Sequence, residues 1–378
     1  MLKLLIGENE LFRPTWVEID LSAISYNLRL VKKMVGKNVK ILAVVKSDAY
    51  GHGMLKVSEH IAEKIDFLGV ASIDEAIALR RSNIKKPVLI FESSFPSSSK
   101  IIADYSITPT VCSLDLARAL NKQAKKLRKK INVHIKVDTG MGRLGVWHSE
   151  AVDFIKKVKQ FSNINIEGLF THFPCADTDP EFTRRQIADF KNLINELRQA
   201  HIHIPICHAA NSMGIIGYEE SYFDMVRPGL MIYGLYPKDG LSSVLKLRPA
   251  LSFKSKVIFV KRAPKGRTIS YGATHVTKKT TNIATIPVGY NDGFLRNLSN
   301  KAEAVIRRRR YRSVGSICMD QLMVDVGNSN IKAGDIVTLI GKDKHNSISA
   351  EEVSCLAGTI PYEIVCSIGN RQKRFYKT

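Results

Sequence analysis

The sequence predicts an α/β protein: an N-terminal (β/α)8 barrel of the TIM type followed by a mainly β C-terminal domain. Three observations carry this. Short apolar runs alternate with amphipathic helical stretches over about the first 230 residues, a pattern of parallel strands and crossover helices. Roughly eight such units fit a closed barrel better than an open sheet. The open sheet would need a G-x-G-x-x-G turn, and the nearest approach, Gly51-His52-Gly53, lacks the third glycine.

Taken in order, the apolar runs predict strands at 15–20, 39–45, 67–71, 88–91, 108–111, 133–137, 166–171 and 204–209, and a short last one at 230–233. Between them, amphipathic stretches predict helices at 55–64, 73–81, 115–129, 150–161 and 184–200. In the last of these, Ile187, Phe190, Ile194 and Leu197 fall at a 3–4 spacing that marks one buried face. From about residue 250 the texture changes. Strand-like runs at 251–260, 281–287, 304–306, 321–326 and 335–340 are separated by Gly, Asn and Asp turns, with one helical piece at 350–356. The expected domains are 1–248 and 249–378, with the alternative that the first strand, about 12–20, packs with the second domain. No low-complexity linker separates them, so they are expected to pack closely.

At 378 residues, 44% hydrophobic and 24% charged, the chain has the composition of an ordinary globular protein of about two domains. No apolar run approaches the roughly 20 residues that span a bilayer, and the apolar start of MLKLLIGENE is short for a signal peptide, so a cytoplasmic, membrane-free protein is expected. Net charge is +22, from 57 Lys and Arg against 35 Asp and Glu. The densest basic runs, 125–130 and 307–312, sit in no nucleic-acid-binding motif and read as a solvated basic face, so no nucleic acid partner is expected. The six cysteines form no C-x-x-C pair; they read as reduced thiols, and no metal site is expected.

In a β/α barrel the chemistry gathers at the C-terminal ends of the strands. There the sequence places Lys46-Ser47-Asp48-Ala49-Tyr50-Gly51-His52-Gly53, then Asp138 to Gly145, His172, Asn211-Ser212 and Arg227-Pro228-Gly229. A desolvated lysine at a barrel rim suits a Schiff base with a carbonyl cofactor. The glycine-flanked loop after it reads as a place where backbone approaches an anion. Asn211-Ser212 reads both as a helix cap and as a phosphate contact. His134, Lys136 and Asp138 share one strand face.

These residues carry a resemblance. The run Val44 to Gly53 is similar to the pyridoxal-phosphate signature of alanine racemases. Lys136 to Gly145, Thr171-His172-Phe173, His208 to Ser212, Arg227-Pro228-Gly229, Ser270 to Thr274, Val288-Gly289-Tyr290, Cys318 to Gln321 and Pro361-Tyr362-Glu363 resemble that family's other blocks, in its order.

The resemblance implies a homodimeric racemase of alanine that uses pyridoxal 5'-phosphate and supplies D-alanine for peptidoglycan. It implies that Lys46 holds the cofactor and returns the D-side proton, while Tyr271 of the partner copy handles the L-side proton. Tyr50, Asn211, Ser212, Gly229 and Leu230 would surround the phosphate, Arg227 would face the pyridine nitrogen, Arg143 the phenolic oxygen, and His172 would lie near the ring. Arg143 and the Met319 backbone would hold the substrate carboxylate, and Tyr290 and His208 would belong to the entry corridor. Lys136 would be carbamoylated, against the alternative of a protonated Lys136 paired with Asp138. Two positions depart from the family pattern, Ser316 in place of an arginine and Asn370 in place of a tyrosine. A serine or broad-specificity racemase and a non-catalytic pyridoxal-phosphate carrier are the competing readings.

Overall fold

A computed structural model describes residues 13–238, 240–369 and 371–378. The N-terminal decapeptide read above and the departure at Asn370 lie outside the described residues.

Eight parallel strands form the first unit: Lys40–Val44, Phe67–Val70, Val88–Ser93, Thr108–Val111, Ile131–Asp138, Ile164–Phe170, Ile206–His208 and Met225–Val226. Met225–Val226 pairs back onto Lys40–Val44, with Val226 opposite Ile41. The one gap in the ladder lies between Ile206–His208 and Met225–Val226. It is bridged by Asp224 N–H to Cys207 O at 3.0 Å, Cys207 N–H to the Asp224 carboxylate at 2.8 Å, and Arg227 N–H to Ala210 O at 2.9 Å. The barrel is therefore nearly closed. Its strands are apolar on both faces because helices cover the outside and packed side chains fill the inside, as Ile41, Leu42, Ala43 and Val44 show.

Helices with defined starts cross between the strands. Ser72 caps Ile73–Arg81 with a reciprocal box to Glu75, Ser113 caps Leu114–Lys126, and Asp179 caps Pro180–Gln199 ahead of a proline in the first turn. In Pro180–Gln199 the residues Ile187, Phe190 and Leu197 are buried, as their spacing requires.

Two sequence expectations fail here. Residues 230–233 are not a strand but a turn of 3-10 helix, Leu230–Tyr233. Pro228 has no N–H to continue a ladder, and the chain turns at Gly229, so the last strand ends at Val226. The run 251–260 is two strands, Leu251–Lys256 and Phe259–Ala263, belonging to different sheets. Val257 and Ile258 leave the first ladder to bond Asp335 O and Thr285 O instead.

The C-terminal unit is mainly β, with a seven-stranded and a three-stranded sheet. The strand Thr15–Asp20 belongs to the larger one, antiparallel to Leu251–Lys256 and parallel to Lys373–Lys377. It is buried along its length, and Glu18 is matched by Lys254 at 2.8 Å. One continuous apolar core runs through both units. Among the described residues no helix is long and apolar enough to cross a membrane.

Candidate active site

The segment after Lys40–Val44 decides where Lys46 points. Ser47, Asp48, Ala49 and Tyr50 all have φ near +53 to +55, so Lys46–Gly51 forms one left-handed helical turn. Each such residue costs roughly 1–2 kcal/mol in an L-chain. The turn is held by its surroundings. Glu75 accepts the Ser47 N–H at 2.6 Å, the Asp48 carboxylate accepts the Met54 N–H at 2.8 Å, and the Arg374 guanidinium donates to Gly51 O at 2.9 Å. The helix Pro361–Ser367 closes over it so tightly that a Cβ on Gly51, itself at φ +76, would sit 2.2 Å from Val365 O. The loop glycines thus admit neighbouring chain; Gly53 likewise faces the Tyr376 hydroxyl. The expectation that this loop itself cradles an anion fails for that reason.

His52 at the end of the turn is fully buried. Its Nδ1–H donates to Ala49 O at 3.0 Å and Tyr50 O at 2.8 Å, and its Nε2 meets no partner. Burial pushes its basicity down from 6.5 to about 4. Between those values the unfolded chain binds the proton and the folded chain does not. Stability is therefore full above pH 6.5 and falls as pH drops toward 4, by roughly 3 kcal/mol from this group. Urea midpoints at pH 7 and pH 4.5 check this: the midpoint drops in acid, and a His52→Asn variant drops less. An equal drop in both would contradict it.

The anion cradle lies on the other side of Tyr50. Asn211 caps Ser212–Gly217 through Gly214 N–H at 2.9 Å. The Ser212 hydroxyl accepts N–H bonds from Gly229 at 3.1 Å and Met231 at 3.4 Å, and Leu230 is buried between them. The Tyr50 phenol reaches the same point: a Cβ on Gly229 would meet it at 2.8 Å. Tyr233 and Tyr362 pack on the Tyr50 ring at 5.2 and 5.7 Å. Burial raises the Tyr50 phenol well above its ordinary range, so it stays a hydrogen-bond donor.

Arg227 forms the centre of the site. It is fully buried, and among the described residues no carboxylate lies within 4 Å of it. Its NH1 bonds His208 Nδ1 at 3.0 Å. Its NH2 bonds Thr171 O and Ala209 O at 2.8 Å and His172 Nδ1 at 3.2 Å. Burial lowers its affinity for the proton to about 9, and it remains cationic at neutral pH. Its Nε bonds nothing among the described residues. His172 is pushed well below the usual imidazole range, first by burial and then by the Arg227, Lys136, Arg143 and Lys46 charges. Gln186, which sequence reading missed, holds the rim together by donating to Thr139 Oγ1 and His172 O at 3.1 and 3.2 Å.

Lys136 is buried, with only a 3.4 Å contact to Val137 O and the Phe170 ring 4.9 Å away. Burial, then Arg227 and Arg143, drive its amine well below the ordinary lysine range. Asp138 is spent on the N–H groups of Gly140 and Met141, both at 2.8 Å. Among the described residues no Lys136–Asp138 ion pair forms within 4 Å, because the strand aims the carboxylate into the loop that follows it; the Asp138 charge only partly opposes the fall of the amine.

The rim thus gathers half-buried Lys46, exposed Arg143 and His172 with Arg227, Ser212 and Tyr50. Tyr271, Tyr290 and Met319 lie apart on the β unit and are 72%, 41% and 52% exposed. They sit on adjoining loops. Tyr290 and Asn291 N–H groups bond Cys318 O and Met319 O at 3.1 Å, and the Ser316 hydroxyl donates to Tyr271 O at 2.9 Å. At the position of the first departure, the serine therefore fastens the Tyr271 loop.

Fold and site define the class of protein: a barrel enzyme with its polar groups gathered at one rim, joined to a β unit that presents a second, outward-facing set. Comparison with known proteins agrees. The family model described as alanine racemase, N-terminal domain, matches residues 19–237, and alanine racemase, C-terminal domain, matches 250–376. The alanine racemase of Halothermothrix orenii is 45% identical, over 97% of both chains. The solved alanine racemase of Clostridium difficile 630 superposes with a TM-score of 0.91 at 37% identity, over 97% of each chain. That of Bacillus anthracis, solved with bound L-Ala-P, gives 0.91 at 34% identity, over 97% and 96%. The chain belongs to the alanine racemase family, a family of isomerases.

Proposed function

We propose that the protein interconverts L- and D-alanine in a pyridoxal 5'-phosphate site shared between two copies of the chain, with 1–248 and 249–378 as its working halves. The donor set suits that cofactor. The Ser212 and Tyr50 hydroxyls and the Leu230 backbone would line a cradle for a phosphate, with the Gly229 and Met231 N–H groups, which bond the Ser212 hydroxyl, at its edge; the missing Cβ of Gly229 keeps it open. Arg227 Nε would meet the ring nitrogen, Arg143 the phenolic oxygen, and Lys46 the carbonyl carbon. When bound, the cofactor acidifies the α-carbon of an attached amino acid, so that side-chain bases can move its proton.

Racemisation takes a proton from one face and returns one to the other. Lys46 is the base for the D face. Tyr271 of the second copy is the base for the L face. A phenol near 10 is too weakly acidic to work as a base at neutral pH without help. His172 supplies it. Arg227 has only donors, so His172 Nδ1 is its acceptor and His172 Nε2 carries the proton, ready to donate to a phenolate. The same donor-only arginine would keep the ring nitrogen unprotonated, a weaker electron sink that would disfavour side reactions such as transamination. Burial favours the neutral amine of Lys136, the form that adds carbon dioxide; as a carbamate it would orient Arg143. Met319 and Tyr290 narrow the pocket to a methyl side chain.

The observation that carries this reading is the fully buried Arg227, bonded to His172 and lacking a carboxylate. A carrier of the cofactor without turnover has no use for Tyr271 and Met319 held outward on a second unit. The supply of D-alanine to peptidoglycan and a cytoplasmic setting complete the proposal; the six cysteines are all unpaired. The test is coupled detection of D-alanine formed from L-alanine by the purified protein. An absorbance band that borohydride abolishes places the cofactor on a lysine. No D-alanine, or faster turnover of serine, would overturn the alanine assignment.

A further inference from the structure

The interior of the barrel carries a chain of polar groups that the reaction as proposed does not use. From Arg227 it runs downward through His208 and His134 to Glu167. Arg227 NH1 lies 3.0 Å from His208 Nδ1, His208 Nε2 lies 2.9 Å from His134 Nδ1, and His134 Nε2 lies 3.4 Å from Glu167 Oε2. Both histidines are fully buried. At the last step, His134 Nε2 and Glu167 Oε2 face each other at 3.4 Å without hydrogen-bond geometry, and both are buried with no hydrogen-bond partner among the described residues.

The fold makes room for this chain at two points. His134 faces Gly168 across the ladder, and a Cβ on Gly168 would stand 2.3 Å from the imidazole Nδ1. Register shifts at the same place: Val133 pairs Ile166, but His134 pairs Gly168. Glu167 is thus the extra residue of a bulge, a device that re-aims a side chain. Asn132 grips the other carboxylate oxygen, Oε1, at 2.9 Å.

Direction follows from chemistry. A guanidinium only donates, so His208 Nδ1 accepts and its proton sits on Nε2. His134 Nδ1 must accept that proton's bond, so its own proton also sits on Nε2, aimed at a carboxylate that only accepts. Both hydrogen bonds and the closing contact with Glu167 run one way. The chain carries no proton, since arginine does not give one up; it transmits orientation and charge.

We propose that Glu167 and His134 are positioning residues for Arg227, fixing the tautomers of the buried histidines and supplying, at the barrel floor, the negative charge that the arginine lacks beside it. The guanidinium is thereby held with Nε toward the ring nitrogen. This inference rests on the cofactor reading above.

The test is made on the holoenzyme with Glu167→Gln, which keeps an acceptor and removes the charge, and Glu167→Asp, which keeps the charge. Glu167→Gln lowers kcat about 10-fold with KM for alanine little changed, and Glu167→Asp recovers most of the loss. Nitrogen-15 NMR of histidine-labelled protein, with or without cofactor, finds His134 and His208 neutral with the proton on Nε2. Wild-type kcat in Glu167→Gln, no better rate in Glu167→Asp, or a proton on Nδ1 of either histidine overturns the proposal. If the unaltered protein racemises alanine in the same assay, those results count against the relay alone; if it does not, the function proposed above is what has failed.

Discussion

Replacing Tyr271 with phenylalanine lowers L-to-D turnover about 10²–10⁴-fold while the α-proton of D-alanine still exchanges with solvent. In the reading proposed above the phenol is the one acid or base on its face, so the expected loss is large. Exchange from the D side is expected to survive, because the proposed base of the other face, Lys46, is untouched. The measurement is proton NMR in deuterium oxide, started separately from each enantiomer. Equal loss of exchange from both sides, or full-rate racemisation, would sink the two-base assignment. The Tyr271 side chain is 72% exposed, so its truncation leaves the fold intact.

The second large effect concerns where the two bases come from. Lys46→Ala is expected to lose racemisation, since in the proposed reading one amine both holds the cofactor and moves a proton. An equal mixture of Lys46→Ala and Tyr271→Phe chains, dissociated and reassociated, regains about a quarter of wild-type activity. Half of the random dimers are mixed, and each mixed dimer carries one site with both residues intact. A mixture as inactive as its components would show that each chain completes its own site.

Both expectations depend on the two groups being brought together by assembly. One chain places Lys46 on the barrel rim beside Cys366 and His172, and Tyr271 on an outward loop of the β unit. Large exposed side chains in that loop group are what a partner would cover.

The sequence by itself determined the barrel class and seven of its eight strands, because burial on both faces leaves short apolar runs between amphipathic helices; it did not show that 15–20 joins the C-terminal sheet or that Met225–Val226 closes the barrel, since pairing partners decide both. It also located Lys46, His172, Ser212 and Arg227, since strand ends are visible as the points where those runs stop. It did not show the left-handed turn after Lys46: four ordinary residues carry no signal of positive φ, and the contacts from Glu75, Val365 and Arg374 that impose it come from distant chain. Nor did it show that 251–260 divides between two sheets or that the last strand ends before Pro228, because pairing partners and not local pattern set those limits. Gln186 and Glu167 look like solvated helix and strand residues in one dimension. Only tertiary packing turns one toward His172 and, through a single-residue bulge, sets the other beneath the histidines of the core.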